Sequence, residues 1–264
     1  MKVAAYQAPL HAIGSVAAIL RLLREQVERC EAEGVEILCC PEGVLGGLAD
    51  YASRPADIAV DVEAGELDAL LAPLASDRVA AILGFTEIAR DGRLFNSAAV
   101  YHRGAVAGIY RKLHPAINHS VYHPGDGIPV FTVGALTFGI VICRDSNFTE
   151  PARAMVARGA RALFVPTNNG LPPRKGGPKV VGEARNADIA RARGNGVSVI
   201  RADVAGRTVA LESHGSSGIV DSRGRVLQRA RQLAPDLLVA EIETAPDEHR
   251  HGPPAGDRPA TSTM

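Results

Sequence analysis

Three residues in this chain stand where apolar runs stop, and together their types suit thiol hydrolysis. They are Cys143 in Ile140-Val141-Ile142-Cys143-Arg144-Asp145, Glu42 in Cys39-Cys40-Pro41-Glu42-Gly43, and Lys112 in Tyr110-Arg111-Lys112-Leu113. A cysteine attacks as its thiolate, and apolar surroundings raise the pKa of a thiol, so a nucleophilic Cys143 demands a base, a cation or a dipole beside it. A glutamate can take the thiol proton, and a lysine can face the negative charge that develops on a substrate oxygen. Taken singly, each has a plainer reading: a buried structural thiol, a loop carboxylate and a solvated cation. A histidine base, as in cysteine proteases, stays open through His114, His119, His123 and His214.

Bringing distant residues together is the work of the elements that end at them. Val3 to Gln7 reads as a strand, and Val16, Ile19, Leu20, Leu23 and Val27 recur at helical spacing between Ile13 and Glu33, before Gly34. Val35 to Cys40 is apolar except for Glu36, the pattern of a strand covered on both faces, and delivers Glu42 on the loop after it. The spacing predicts a helix over Gly65 to Ser76, a strand over Val79 to Thr86, and a hairpin of Ser97 to Arg103 with Ala105 to Tyr110 that hands on to Lys112. Val130 to Val133 pairs with Leu136 to Ile142, which delivers Cys143. Neighbouring strand ends in an α/β sheet converge on one crevice.

Further on, Pro151 to Arg158 reads as a helix and Ala162 to Pro166 as a buried strand. The loop from Thr167 to Lys179 holds three prolines and three glycines and is long enough to be functional. A helix over Gly182 to Arg193, strands at Val197 to Arg201 and Leu237 to Ile242, and a hairpin turning at Ser222-Arg223-Gly224 complete the pattern. Alternating strands and helices with interspersed hairpins point to two sheets covered by helices. Residues 1–243 are expected to form one domain. From Thr244 to Met264 no apolar period survives, so 244–264 is expected to be a tail or an arm lying on a partner.

Composition narrows the partners. With 46% hydrophobic residues the chain can bury one large core, and 29 basic residues balance 29 acidic ones. No overall field holds it on nucleic acid or an anionic membrane, so a small-molecule substrate is expected. Apolar runs are strand-sized and the N-terminus enters a strand directly, which leads to an expectation of a cytoplasmic protein. Cys30, Cys39, Cys40 and Cys143 form no spaced framework and are expected to be reduced.

Taken in order, these segments resemble the nitrilase superfamily of carbon–nitrogen hydrolases. The resemblance rests on Cys39-Cys40-Pro41-Glu42-Gly43, Gly84-Phe85-Thr86-Glu87, Phe95-Asn96-Ser97-Ala98, Tyr110-Arg111-Lys112-Leu113-His114 and Ile142-Cys143-Arg144-Asp145. It continues through Glu183-Ala184-Arg185, His214-Gly215-Ser216-Ser217 and Val220-Asp221-Ser222-Arg223-Gly224. Each motif is weak alone, and their joint order is specific. The resemblance implies a four-layer αββα sandwich and a Glu-Lys-Cys triad of Glu42, Lys112 and Cys143.

In that implied mechanism Glu42 moves the proton, Cys143 forms a thioester, and Lys112 with the backbone N–H of Arg144 faces the oxyanion, with no metal or organic cofactor. The resemblance also implies a homodimer or higher even oligomer. Family members commonly carry a second glutamate between the lysine and a Pro-Gly-Asp turn; from Leu113 to Asp126 this chain has none, and Asn118 or Ser120 takes the place. Asn118, Arg144, Asn168 and Asn169 are candidate substrate-binding or support residues. Arg144 and Asp145 either bind a substrate carboxylate or pair with each other, Glu87 braces the fold or the triad, and Tyr51 lines the entrance. The expected reaction is hydrolysis of a small amide, carbamoyl compound or nitrile. An acyltransferase on the same triad and a non-catalytic interaction protein are the alternatives.

Overall fold

A computed structural model describes residues 1–11 and 13–244 of the chain. Its first strand, β1 (Lys2–Pro9), sorts its side chains by strand alternation into two interiors: Ala4, Tyr6 and Ala8 face one way, Val3 and Ala5 the other. The helix α1 (Val16–Glu33) lays Ile19, Leu23, Val27 and Cys30 on the first of these faces. Burying each of its large aliphatic side chains stabilises by roughly 1.5–3 kcal/mol, so Leu23→Asp would detach the helix. The helix stops at Gly34, whose φ of 69° is the left-handed conformation glycine adopts without a Cβ penalty.

The chain continues through β2 (Ile37–Cys39), β3 (Ala59–Asp61), α2 (Glu66–Leu71), β4 (Ala80–Ile88), β5 (Leu94–His102) and β6 (Ala105–Arg111). Then come β7 (Val130–Val133), β8 (Leu136–Ile140), α3 (Thr149–Ala157), β9 (Ala162–Pro166), α4 (Pro178–Asn195) and β10 (Ser198–Ala202). Five short strands close the fold: β11 (Val204–Arg207), β12 (Glu212–Ser213), β13 (Gly218–Val220), β14 (Val226–Arg229) and β15 (Asp236–Glu241).

One sheet runs β12-β11-β1-β2-β4-β5-β6, with β15 on β1 and β3 on β4; the other runs β14-β13-β10-β9-β8-β7. Between them Val3, Ala5, Ile37, Cys39 and Ile82 belong to one apolar cluster with Phe138, Ile140, Phe164 and Ile200. The outer face of the first sheet is covered by α1 and α2, and the second sheet is covered by α3 and α4. This is the expected four-layer αββα sandwich. Cys39 and Cys40 fall into the two different interiors, as neighbours on a strand must, and all four cysteines are free thiols.

Proline accounts for two departures from the expected elements. The helix α2 gives way at Ala72 to a 3₁₀ turn through Leu74, because Pro73 has no N–H to continue the helical ladder. In contrast, α4 begins at Pro178, four residues before the expected start, since proline is well tolerated at a first helical position. The strands β11 and β12 lay outside the expected pattern. Most of the expected tail, residues 245–264, lies outside the described residues. No helix among the described residues is long and apolar enough to cross a membrane.

Candidate active site

Glu42, Lys112 and Cys143 line one cavity of about 160 Å³, reached from three different strand ends. Glu42 lies three residues beyond β2, Lys112 directly follows β6, and Cys143 begins a 3₁₀ turn, Cys143–Asn147, three residues beyond β8. Glu42 and Lys112 are each only 2% exposed, and Lys112 Nζ donates to Glu42 Oε1 at 2.5 Å. Although burial works against the ammonium, the Glu42 carboxylate holds Lys112 above its ordinary pKa, so it stays charged.

Glu42 is held on three sides. Asn96 Nδ2 shares Oε1 at 2.7 Å, and the Asn168 backbone N–H donates to Oε2 at 3.0 Å. Since Oε1 already has two donors, Oε2 retains the lone pair that can take a proton. The loop presenting Glu42 presses on β4 at Gly84, where a Cβ would sit 2.5 Å from both Gly43 N and Pro41 O and 2.7 Å from the Glu42 Cα. Only glycine allows that approach.

Cys143 has a φ of 46°, the left-handed region a non-glycine residue seldom occupies, and its strained turn marks a place the surrounding structure over-determines. Burial first, and the Glu42 carboxylate second, push its thiol up to about 12, against the opposing pull of Lys112 and Arg201. At neutral pH the sulfur is therefore a thiol, and its proton must leave during attack.

Asp145 clamps the Cys143 turn to the Lys112 segment. Fully buried, it accepts from the Tyr110 hydroxyl at 2.8 Å, the His114 backbone N–H at 2.9 Å, the His114 ring at 2.9 Å and the Ile142 N–H at 3.3 Å. Asp145 is thus committed within the fold and does not pair with Arg144, one of the two arrangements expected. Arg144 is exposed, donates to the Ala116 carbonyl at 2.9 Å, and lines an outer recess with Tyr51, Asn118 and Lys175. Asn118 is exposed in that recess, and Ser120 donates to Asp50, which lines the cavity with Lys112.

Asn168 and Asn169 both line the cavity and both do turn chemistry. Asn168 Oδ1 accepts from Gly170 N, and Asn169 donates to Asp203 and Ser216. Tyr51 lines the cavity as expected. Glu87 takes two hydrogen bonds from Arg111 and one from Ser97, bracing the strand end before Lys112. Among the described residues no histidine lines the cavity: His114 is spent on Asp145 and His214 on Glu212. A larger recess of about 530 Å³ beside Glu87 and Arg111 holds none of Glu42, Lys112 or Cys143, so volume alone does not mark the chemistry. Among the described residues, no group of three or more His, Cys, Asp or Glu is placed to hold a metal ion.

Two buried polar residues that support the triad are not singled out by the sequence: Asn96 sits within the Phe95-Asn96-Ser97-Ala98 motif, and Arg201 within a strand. Arg201 is 2% exposed, pairs with Asp188 and reaches Thr167 Oγ1 at 2.7 Å and Ser146 Oγ at 2.9 Å, while Ser146 Oγ in turn donates to the Cys143 carbonyl. The available signal was polarity inside an apolar strand, since a buried amide or guanidinium must have partners.

A buried carboxylate, ammonium and thiol gathered between the strand ends of an αββα sandwich define a thiol-dependent hydrolase class. The chain belongs to the carbon–nitrogen hydrolase family, whose model matches residues 2–245. It is 29% identical over 221 residues to a nitrilase of Pyrococcus abyssi (82% of this chain, 80% of that one). To an (R)-stereoselective amidase of Pseudomonas sp. it is 32% identical over 202 residues (75% of this chain, 70% of that one). A variant of a Nesterenkonia AN1 amidase of the nitrilase superfamily superposes with a TM-score of 0.76 at 25% identity, covering 94% of this chain and 91% of that one. The protein is an amidase-like hydrolase of this superfamily.

Proposed function

We propose that the protein cleaves the C–N bond of a small amide or carbamoyl compound through a thioester on Cys143. The observation that supports this best is the convergence of Glu42, Lys112 and Cys143 in one small cavity, with the Glu42 and Lys112 side chains already in contact. As Cys143 Sγ bonds to the carbonyl carbon, its proton passes to Glu42 Oε2, and the carbonyl electrons move onto oxygen. Lys112 Nζ and the Arg144 backbone N–H are the donors for that oxyanion. Collapse breaks the C–N bond, and Glu42 returns the proton to the leaving nitrogen, releasing ammonia or an amine. Water then enters, Glu42 takes one of its protons, and hydroxide adds to the thioester. The second collapse releases the acid and restores the thiol.

An amide is favoured over a nitrile because the preformed ammonium suits an oxygen that gains charge. No observation favours the acyltransferase, and all three triad side chains are present, which a non-catalytic relative would have no reason to keep.

The test is intact-protein mass spectrometry during incubation with short aliphatic amides, carbamoyl amino acids and nitriles, with ammonia followed in parallel. An acyl adduct on Cys143 with ammonia release is expected, and Cys143→Ala should abolish both while keeping the fold. Ammonia release persisting in Cys143→Ala or Lys112→Ala would defeat the mechanism.

A further inference from the structure

Besides the Glu42 and Lys112 pair, the catalytic cavity is lined by a second carboxylate, Asp50. Glu42 and Lys112 neutralise one another at 2.5 Å. The contacts on Asp50 are all neutral: the Ser120 hydroxyl at 2.9 and 3.0 Å from its two oxygens, and the Val121 backbone N–H at 2.9 Å. A carboxylate offers about four lone-pair positions, so these leave acceptor capacity and an uncompensated charge on a half-buried wall. Its effect reaches into the cavity, where the neighbouring Tyr51 phenol is raised above its usual pKa, first by burial and next by Asp50.

A second acceptor, on the cavity-lining residue Asn96, has no donor. Asn96 is 4% exposed and its Nδ2 is committed to Glu42, while its Oδ1 is buried with no partner. An orphaned buried acceptor is costly unless a ligand donor completes it. The cavity therefore asks for hydrogen-bond donors and for a positive charge. Its 160 Å³ equals the room of about five waters at ~30 Å³ each, enough for a short aliphatic molecule.

Resting on the hydrolase reading above, we propose that Asp50, with the Tyr51 ring beside it, forms a subsite for a protonated amine. The preferred substrates are then short amides or carbamoyl compounds that carry an ammonium group, with Asn96 Oδ1 accepting an N–H of the scissile carboxamide. An ammonium suits a carboxylate flanked by an aromatic face. Arg144 and Lys175 at the outer recess would favour a carboxylate tail instead, but both are exposed to solvent, where salt screens them.

The test is calorimetric titration of the Cys143→Ala protein, which removes turnover from the measurement. The probes are three amides of equal length ending in an ammonium, a methyl or a carboxylate group. The ammonium amide should bind tightest, and Asp50→Asn in the same background should cut the ammonium-over-methyl preference by about thirtyfold. Asparagine keeps an acceptor oxygen for Ser120 and Val121, so the loop is retained. Ser120→Ala, which removes the hydroxyl and leaves the charge, should preserve the preference. Equal weakening of the ammonium and methyl amides by Asp50→Asn, tightest binding of the carboxylate amide, or no binding of the ammonium amide each overturns the proposal. Cys143-dependent ammonia release from the methyl amide separates the two readings: with release, only the subsite fails; without release from any amide, the hydrolase reading fails too.

Discussion

Arg201 and Asp188 face each other through two hydrogen bonds, 2.8 Å from Nε to Oδ2 and 2.6 Å from Nη2 to Oδ1, on the far side of Ser146 from the Cys143 carbonyl. Burial alone would disfavour the guanidinium charge, and the Asp188 carboxylate holds it in place. Removing one partner strands the other charge, so Asp188→Ala should destabilise the fold by about 3–5 kcal/mol in denaturant unfolding. Adding Arg201→Met should recover part of that loss. A cost for Asp188→Ala below about 1 kcal/mol would show that the pair is not holding the Cys143 turn.

Gly84→Ala should act on catalysis through Glu42. The new methyl meets backbone atoms of Pro41, Glu42 and Gly43, which cannot rotate away as a side-chain tip can. Displacing the Glu42 carboxylate from Lys112 and Asn96 should lower kcat at least about tenfold, with a smaller effect on KM, because only transition-state proton transfer suffers. Wild-type kcat in a folded Gly84→Ala protein would remove Glu42 from the proton-transfer role.

The Cys143 thiol gives a pH prediction with a definite sign. With its pKa raised to about 12, the thiolate fraction at pH 7 is minute and grows about tenfold per pH unit. Alkylation of Cys143 by iodoacetamide in the substrate-free protein should therefore climb from pH 7 to pH 10 without levelling. The alkylated residue is read by peptide mass spectrometry, since Cys30, Cys39 and Cys40 are buried. A plateau below pH 8 would mean a preformed thiolate and would overturn the reading of a resting thiol.

How much of this was legible in the sequence differs by residue. Strand-like runs before Glu42, Lys112 and Cys143 made these three residues candidates, and the joint order of the motifs around them, through its resemblance to the nitrilase superfamily, implied the triad and the sandwich. Asp145 was harder. Adjacent to Arg144, it invites a pairing, yet a 3₁₀ turn sends consecutive side chains in different directions, one to solvent and one into the fold. Asp50 was not legible at all. Its place in the cavity is set by the glycine-rich loop after Glu42 and by Ser120, 70 residues later, and no local pattern encodes that meeting. Asn118 shows the same limit from the other side: its place in the sequence suggests a neighbour of Lys112, whereas the loop carries it to a recess shared with Tyr51 and Arg144.

The pairing of β1 with β15 joins Lys2 to Glu241, and the Met1 and Ile242 main chains exchange hydrogen bonds. A strand in the interior of the first sheet thus waits for a partner almost the whole described chain away. Contacts of such sequence separation slow folding, because loop-closure entropy is lost before the pairing rewards it. Until β15 arrives, β1 shows an open ladder edge made of Val3, Ala4, Ala5 and Tyr6, a surface that invites strands from other chains. Expression yield is therefore expected to depend on how quickly the final strand docks, a quantity set by chain topology and independent of the chemistry at Cys143.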